Sequence, residues 1–150
     1  FAFVEEVRQF WPGDIVLGGG ISSGRGVRAA QVLGANYAYM GTRFIATRES
    51  MADPAYKQMV VEATGADIVC SAALTGVKAN WLRASLVAAG YDPDNMPDGT
   101  KIDIAASTSD AKRWRDVWSA GQGVGAIRDI LSIADLVDRL ETEYRAACEG

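Results

Sequence analysis

The chain has 150 residues, 49% apolar and 23% charged, a balance that supports a packed core and excludes a disordered segment. Its net charge of -4, with no basic stripe to neutralise phosphates along a strand, excludes nucleic acid as the principal partner. No apolar run approaches the ~20 residues of a bilayer-spanning helix, and Cys70 and Cys148 lack the spacing of a metal or redox motif.

The first predicted element is a helix over Ala2 to Phe10. The short apolar run Asp14 to Leu17 then reads as a strand, ended by Gly18, Gly19 and Gly20. Ser22 and Ser23 offer an N-cap to an amphipathic helix, Arg25 to Leu33, which turns Val27, Ala30, Val32 and Leu33 to a sheet and leaves Arg25, Arg28 and Gln31 in water. Gly34 stops that helix, and Tyr37 to Met40 forms a second strand closed by Gly41 and Thr42. Strand, helix and strand in so short a span require a right-handed parallel crossover.

That geometry carries the chemistry. Gly20 and Gly41 lie 41 − 20 = 21 positions apart, one βα repeat, so neighbouring strands bring both glycine turns to one mouth. A phosphate needs inward backbone N–H groups with no Cβ in the way, and a helix N-terminus adds partial positive charge. In α/β barrels the loops after the last two strands serve this purpose. A glycine turn alone is a common structural feature; the pair with its intervening helix is what points to phosphate. Thr42 adds a hydroxyl, whereas Arg43 reads more readily as an inter-element salt bridge than as a ligand.

Beyond Glu49, Met51 to Thr64 reads as a helix with Pro54 in its first turn and Tyr56, Met59, Val60 and Ala63 on its apolar face. A strand over Asp67 to Ser71 places Cys70 as a packed small side chain, and Thr75 and Gly76 lead to a helix over Ala79 to Ala89, ended by Gly90. Tyr91 to Asp110, rich in turn residues, reads as an exposed connector tacked down by Ile102 and Ile104. Lys112, Arg113 and Arg115 form a small basic cluster, and Trp114 and Trp118 stand four apart as on one helix face. Gly121, Gly123 and Gly125 permit close backbone approach. Between them Gln122 serves either a ligand or the backbone of its own loop. The last helix, Ser132 to Ala147, carries a capping-box-like Ser132 and Asp135 and a core stripe of Ile133, Leu136, Val137, Leu140 and Tyr144.

The runs GGGISSGRGVRAAQVLGANYAYMGTRFIATRES, DIVCSAALTG, ANWLRASLVAAG and WSAGQGVGAIRD resemble the C-terminal half of the nitronate monooxygenase family, formerly called 2-nitropropane dioxygenases. The resemblance covers nearly the whole chain, and GGI, MGTRF and AGQGVG are its most specific pieces. It implies an α/β fold: the C-terminal part of an FMN-binding (β/α)8 TIM barrel with part of a smaller helical substrate domain. On that reading residues 1–50 hold the last βα units, 51–110 the substrate-domain segment and loop, and 111–150 the glycine-rich loop and final helix. The implied FMN contacts are Gly19, Gly20, Tyr39, Met40, Gly41 and Thr42, with Gln122 near the cofactor mouth. Tyr39 departs from the glutamine that many relatives carry.

The implied activity is oxidation of an alkyl nitronate by molecular oxygen, with NAD(P)H a candidate electron donor and a homo-oligomer a candidate assembly; the two free thiols, Cys70 and Cys148, suit the cytoplasm. Members use a histidine upstream of the GGI turn, and this chain contains no histidine, so no catalytic base is assigned. A complete barrel needs ~250 residues, so the chain reads as part of a larger protein more readily than as a natural half-barrel. Two other functions share the motifs: an NAD(P)H:quinone or enoyl reductase on the same FMN barrel, and a non-catalytic binder of phosphate ligands.

Overall fold

The computed structural model describes residues 2–97 and 117–149. Expectations for Ile102, Ile104, Lys112, Arg113, Trp114 and Arg115 lie outside the described residues. In chain order the elements are α1 (Ala2–Phe10), β1 (Val16–Gly18), α2 (Gly24–Val32), β2 (Tyr37–Tyr39), α3 (Thr42–Ile45), α4 (Pro54–Glu62), β3 (Ile68–Ser71), β4 (Ala79–Leu82), α5 (Arg83–Ala88) and α6 (Ile133–Glu149), with 3-10 turns at Gly65–Asp67 and Gln122–Ala126.

The first region is the expected parallel crossover. β1 and β2 pair with Val16 opposite Tyr37, Leu17 opposite Ala38 and Gly18 opposite Tyr39. Strand alternation sends Leu17 and Ala38 to the helix side, where they pack with Ile15, Ile21 and Leu33 against buried Val4, Ala30 and Ala35. Val16, Tyr37 and Tyr39 face the other way and are exposed. The Arg8 guanidinium fastens α1 to the end of α2, donating to the Gly34 carbonyl, to Gly13 O at 2.7 Å and to Asn36 Oδ1 at 2.8 Å. Gly34 takes φ +100, the left-handed conformation expected of a residue that stops a helix.

α6 lies across the start of α2. A Cβ on Gly24 would fall 2.1 Å from the Leu140 carbonyl oxygen and 2.5 Å from Tyr144 N, so the two backbones meet where only glycine fits. Tyr144 Oη donates to Gln31 Oε1 at 2.6 Å. Only Leu136 of the predicted α6 stripe is buried; Ile133 and Val137 remain 41% and 47% exposed, which corrects the expectation of a fully buried face.

The second region contains an antiparallel hairpin. β3 pairs with β4, Ile68 opposite Leu82 and Val69 opposite Trp81. The helix predicted over Ala79 to Ala89 is therefore a strand for its first four residues, and only Arg83–Ala88 coils. Pairing to β3 and burial of Trp81, whose indole donates to Ser71 O at 3.1 Å, outweigh the local helical preference of an alanine-rich run. Cys70 is exposed, not packed: Ile68 and Val69 turn to the cores while position 70 does not. α4 begins at Pro54, three residues later than Met51, because Asp53 caps it by accepting from Ala55 N and proline disfavours helical backbone before it. Its predicted apolar face holds: Val60 and Ala63 are buried in one core with Ala46, Leu82, Ala120, Val124 and Ile127, and Tyr56 and Met59 pack beside them.

Candidate functional site

Both glycine turns open at the carboxyl ends of β1 and β2. Gly19 and Gly20 adopt φ +103 and +72, conformations that a side chain resists, and a Cβ on either would meet nothing within 4 Å. A Cβ on Gly41 would likewise stand in open space. Empty room beside the backbone is what an oxyanion approaching N–H groups requires.

The α2 N-terminus contributes less than its position promised. Gly24 N–H donates to Glu143 Oε2 at 2.8 Å and Gly26 N–H to the Ser23 hydroxyl at 3.2 Å. α6 and the Ser23 cap therefore already satisfy two donors of that first turn, and the glycine turns supply the open ones.

A third glycine segment reaches both turns. Gly121 N–H donates to Thr42 Oγ1 at 2.8 Å. Gly123 lies against the first turn, where a Cβ would come within 2.5 Å of Gly20 O and 2.6 Å of Ser22 Oγ. Gln122 stands between these two contacts with an exposed side chain. Tyr39 is also exposed, opposite Gly18, and Met40 is half-buried. The structure thus brings Gly20 and Thr42 together with the 121–123 segment, places Gly41 beside Thr42, and leaves Tyr39 and Gln122 exposed.

What holds that segment in place was not legible locally. Residues 117–120 run extended beside β4, with Trp81 bridged to Ser119 and Leu82 N–H donating to Trp118 O at 2.9 Å, so Trp118 lies on an extended segment and not on a helix face. Trp118 N–H donates to the buried Ser85 hydroxyl at 2.7 Å. Tyr56 stacks on Trp118, ring centroids 5.1 Å apart, and donates through its hydroxyl to Ser119 O at 2.5 Å. Burial raises the Tyr56 pKa above its ordinary value.

Arg43 turns away from the mouth. It is 3% exposed and pairs with Asp129 at 2.8 Å, while Arg139 from α6 takes the other Asp129 oxygen at 2.7 Å. Burial lowers the Arg43 pKa and the Asp129 charge opposes that shift. The inter-element role expected of Arg43 is the one it has.

An open cleft of about 420 Å³ adjoins Gly41 and Thr42, walled by Ile45, Ala79 and Ala120 and edged by Asn80, Ser119 and Gly121. Asn80 and Ser119 carried no signal in the sequence, since their approach depends on β4 lying beside the 117–120 segment. Among the described residues no cluster of His, Cys, Asp and Glu could hold a metal ion, and no helix is long and apolar enough to cross a membrane.

Fold and site together define an α/β protein whose parallel strands lead into glycine turns with open space beside the backbone. The chain matches the nitronate monooxygenase family over residues 3–143 and belongs to that family. It is 30% identical to a nitronate monooxygenase of Paraburkholderia phytofirmans over 144 residues, 90% of this chain and 39% of the relative. It is 34% identical to a nitronate monooxygenase of Pseudomonas aeruginosa over 140 residues, 87% of this chain and 39% of that one. The chain thus spans about two fifths of the length of these curated relatives. Among solved structures it resembles a nitroalkane oxidase from Streptomyces ansochromogenes (TM-score 0.77, 26% identity, 99% of this chain and 44% of the other) and FabK from Thermotoga maritima (TM-score 0.75, 25% identity, 97% and 49%).

Proposed function

We propose that this chain forms the cofactor-phosphate part of an FMN-dependent (β/α)8 barrel oxidoreductase that oxidises alkyl nitronates with molecular oxygen. The observation that carries the reading is the convergence of three glycine segments on one mouth, with Gly19, Gly20 and Gly41 open where a Cβ would stand. The residues present fit the phosphate end of FMN: backbone donors at the two turns, the Thr42 hydroxyl, and no carboxylate among the residues lining the adjoining cleft. The names of the relatives support nitronate as the substrate class.

When bound, the flavin supplies the two-electron redox chemistry. The chain's own residues hold the ligand. Gly19 and Gly20 admit the phosphate close to backbone, Gly41 does the same from the second turn, and Thr42 accepts from Gly121 and so keeps its hydroxyl proton for the ligand. Gly123 packs on Gly20 and fixes the spacing of the two turns. No group of this chain is assigned to take the substrate proton. A cytoplasmic setting belongs to the same reading, on the two unpaired, exposed thiols of Cys70 and Cys148.

The test is oxygen uptake by the intact, flavin-loaded protein on adding an alkyl nitronate, paired with the flavin content of Gly41→Val. Uptake in the parent and loss of FMN from a folded Gly41→Val protein are expected. Rapid anaerobic bleaching by NAD(P)H, with no uptake on nitronate, would replace the oxidase reading with a reductase. Unchanged FMN in Gly41→Val would remove the phosphate cradle.

A further inference from the structure

We propose that the side-chain amide of Asn80 is an additional hydrogen-bond donor to the ligand's phosphate, reaching it from β4 across the cleft from Gly41 and Thr42. The inference rests on the phosphate-cradle reading above and extends the site to an element that carries no part of the glycine motifs.

Strand alternation gives the direction. Asn80 shares a face of β4 with Leu82, and Leu82 is buried in the core that includes Ala120 and has Ile45 packed against it. Ile45 and Ala120 are also walls of the cleft, so the face that buries Leu82 at one end of the strand presents Asn80 to the cleft at the other. Asn80 lies opposite Cys70 in the hairpin, yet its amide makes no hydrogen bond with any described residue. Asn80 is only half-buried, and no buried side-chain polar atom is left without a partner, so its amide reaches solvent within the cleft.

The surrounding chemistry selects the ligand group. Thr42 and Asn80 offer hydroxyl and amide donors on a lining that otherwise includes Ile45, Ala79 and Ala120 and contains no charged residue. Donors with no competing acid favour an oxyanion, and a carboxamide can donate two hydrogen bonds without adding charge. The 119–121 rim, held by Tyr56 and Thr42, lines the same opening as Asn80 and the second glycine turn.

The experiment titrates FMN and riboflavin into the intact apoprotein of the parent, Asn80→Ala and Asn80→Asp, following flavin fluorescence, with thermal melting as the fold control. The expected result is FMN affinity about tenfold weaker in Asn80→Ala, weaker again in Asn80→Asp, and riboflavin affinity unchanged in Asn80→Ala. Equal losses for FMN and riboflavin, or no loss for either, would overturn the assignment while leaving the cradle intact. A parent that binds FMN no better than riboflavin would remove the cradle itself. If Asn80→Ala does not fold, Asn80→Ser, too short to span the opening, gives the same comparison.

Discussion

The parallel unit and the hairpin region spend the same kind of residues on opposite ends. Around β1 and β2 one face is packed and the other, with Val16, Tyr37 and Tyr39, is bare. The turns that follow the strands carry Gly19, Gly20 and Gly41, with open space beside their backbone. Around β3 and β4 each face buries a side chain, Leu82 on one core and Trp81 on another, and the adjoining 117–121 segment is tied down through Tyr56, Ser85 and Thr42. Open backbone donors make a binding site only if something keeps them apart at a fixed distance. The closed region does this for the open one, through Gly121 on Thr42 and Gly123 on Gly20. Loops positioned by a rigid scaffold are where binding residues belong.

The largest effect on this contrast is expected from Gly24→Ala. The added methyl would lie 2.1 Å from Leu140 O, which is backbone and cannot swing aside, so α6 must move off α2 and withdraw Glu143 from the first turn. A loss of about 3 kcal/mol, the upper end for overpacking, should be seen in denaturant unfolding; an unchanged midpoint would mean that α6 does not rest on Gly24.

Gly123→Ala breaks the contact between the regions without touching either core. Its Cβ would enter the space of Gly20 O and Ser22 Oγ, and the 121–123 segment must lift from the first turn. FMN affinity is expected to fall about tenfold, about 1.4 kcal/mol, with a smaller change in melting temperature than in Gly24→Ala. Affinity equal to that of the parent would show that the two turns keep their spacing without the third segment.

Tyr56→Phe tests the closed region from within. Losing the hydroxyl leaves Ser119 O without that donor while the stack on Trp118 remains, a cost of about 1 kcal/mol in unfolding. The same variant has a signature at high pH. Burial raises the Tyr56 pKa in the folded chain, so its contribution is complete below the ordinary value of 10.0 and is lost as pH rises through the folded value. The stability of the parent should therefore decline above pH 10 more steeply than that of Tyr56→Phe, and parallel curves would refute the assignment.

The smallest effect is expected at acid pH. The Asp67 carboxylate accepts from Thr64 N–H at 2.8 Å and from the Thr64 hydroxyl at 2.7 Å, bonds that lower its pKa below the usual 3.8. That contribution is complete above the ordinary value and disappears as pH falls through the depressed one. Asp67→Asn should flatten the acid limb of the stability curve slightly while leaving flavin binding unchanged; a change in binding would show that this turn acts on the site through the Gln122–Ala126 turn it packs against.

Much of the first region was legible because its signals are local. Ser23 caps α2, Gly34 ends it with positive φ, and the strand periodicity set the parallel pair and its two turns. The hairpin was legible only in half. Asp67 to Ser71 reads as a strand, but residues 79–82 read as helix because alanine and leucine favour helix until β3 supplies hydrogen bonds and cover. Cys70 was misplaced for the same reason, since an apolar neighbourhood in sequence does not say which face of a strand is covered.

The sequence by itself determined the family, the parallel crossover and the two glycine turns, because helix stops, caps and glycine conformations depend on residues a few positions apart. Only the tertiary structure decided that Gly121 reaches Thr42, that Glu143 occupies the start of α2, that Arg43 turns inward to Asp129 and that Asn80 edges the cleft. Those contacts join residues far apart in the chain, and they follow from how the packed elements lie against one another, which no local pattern encodes.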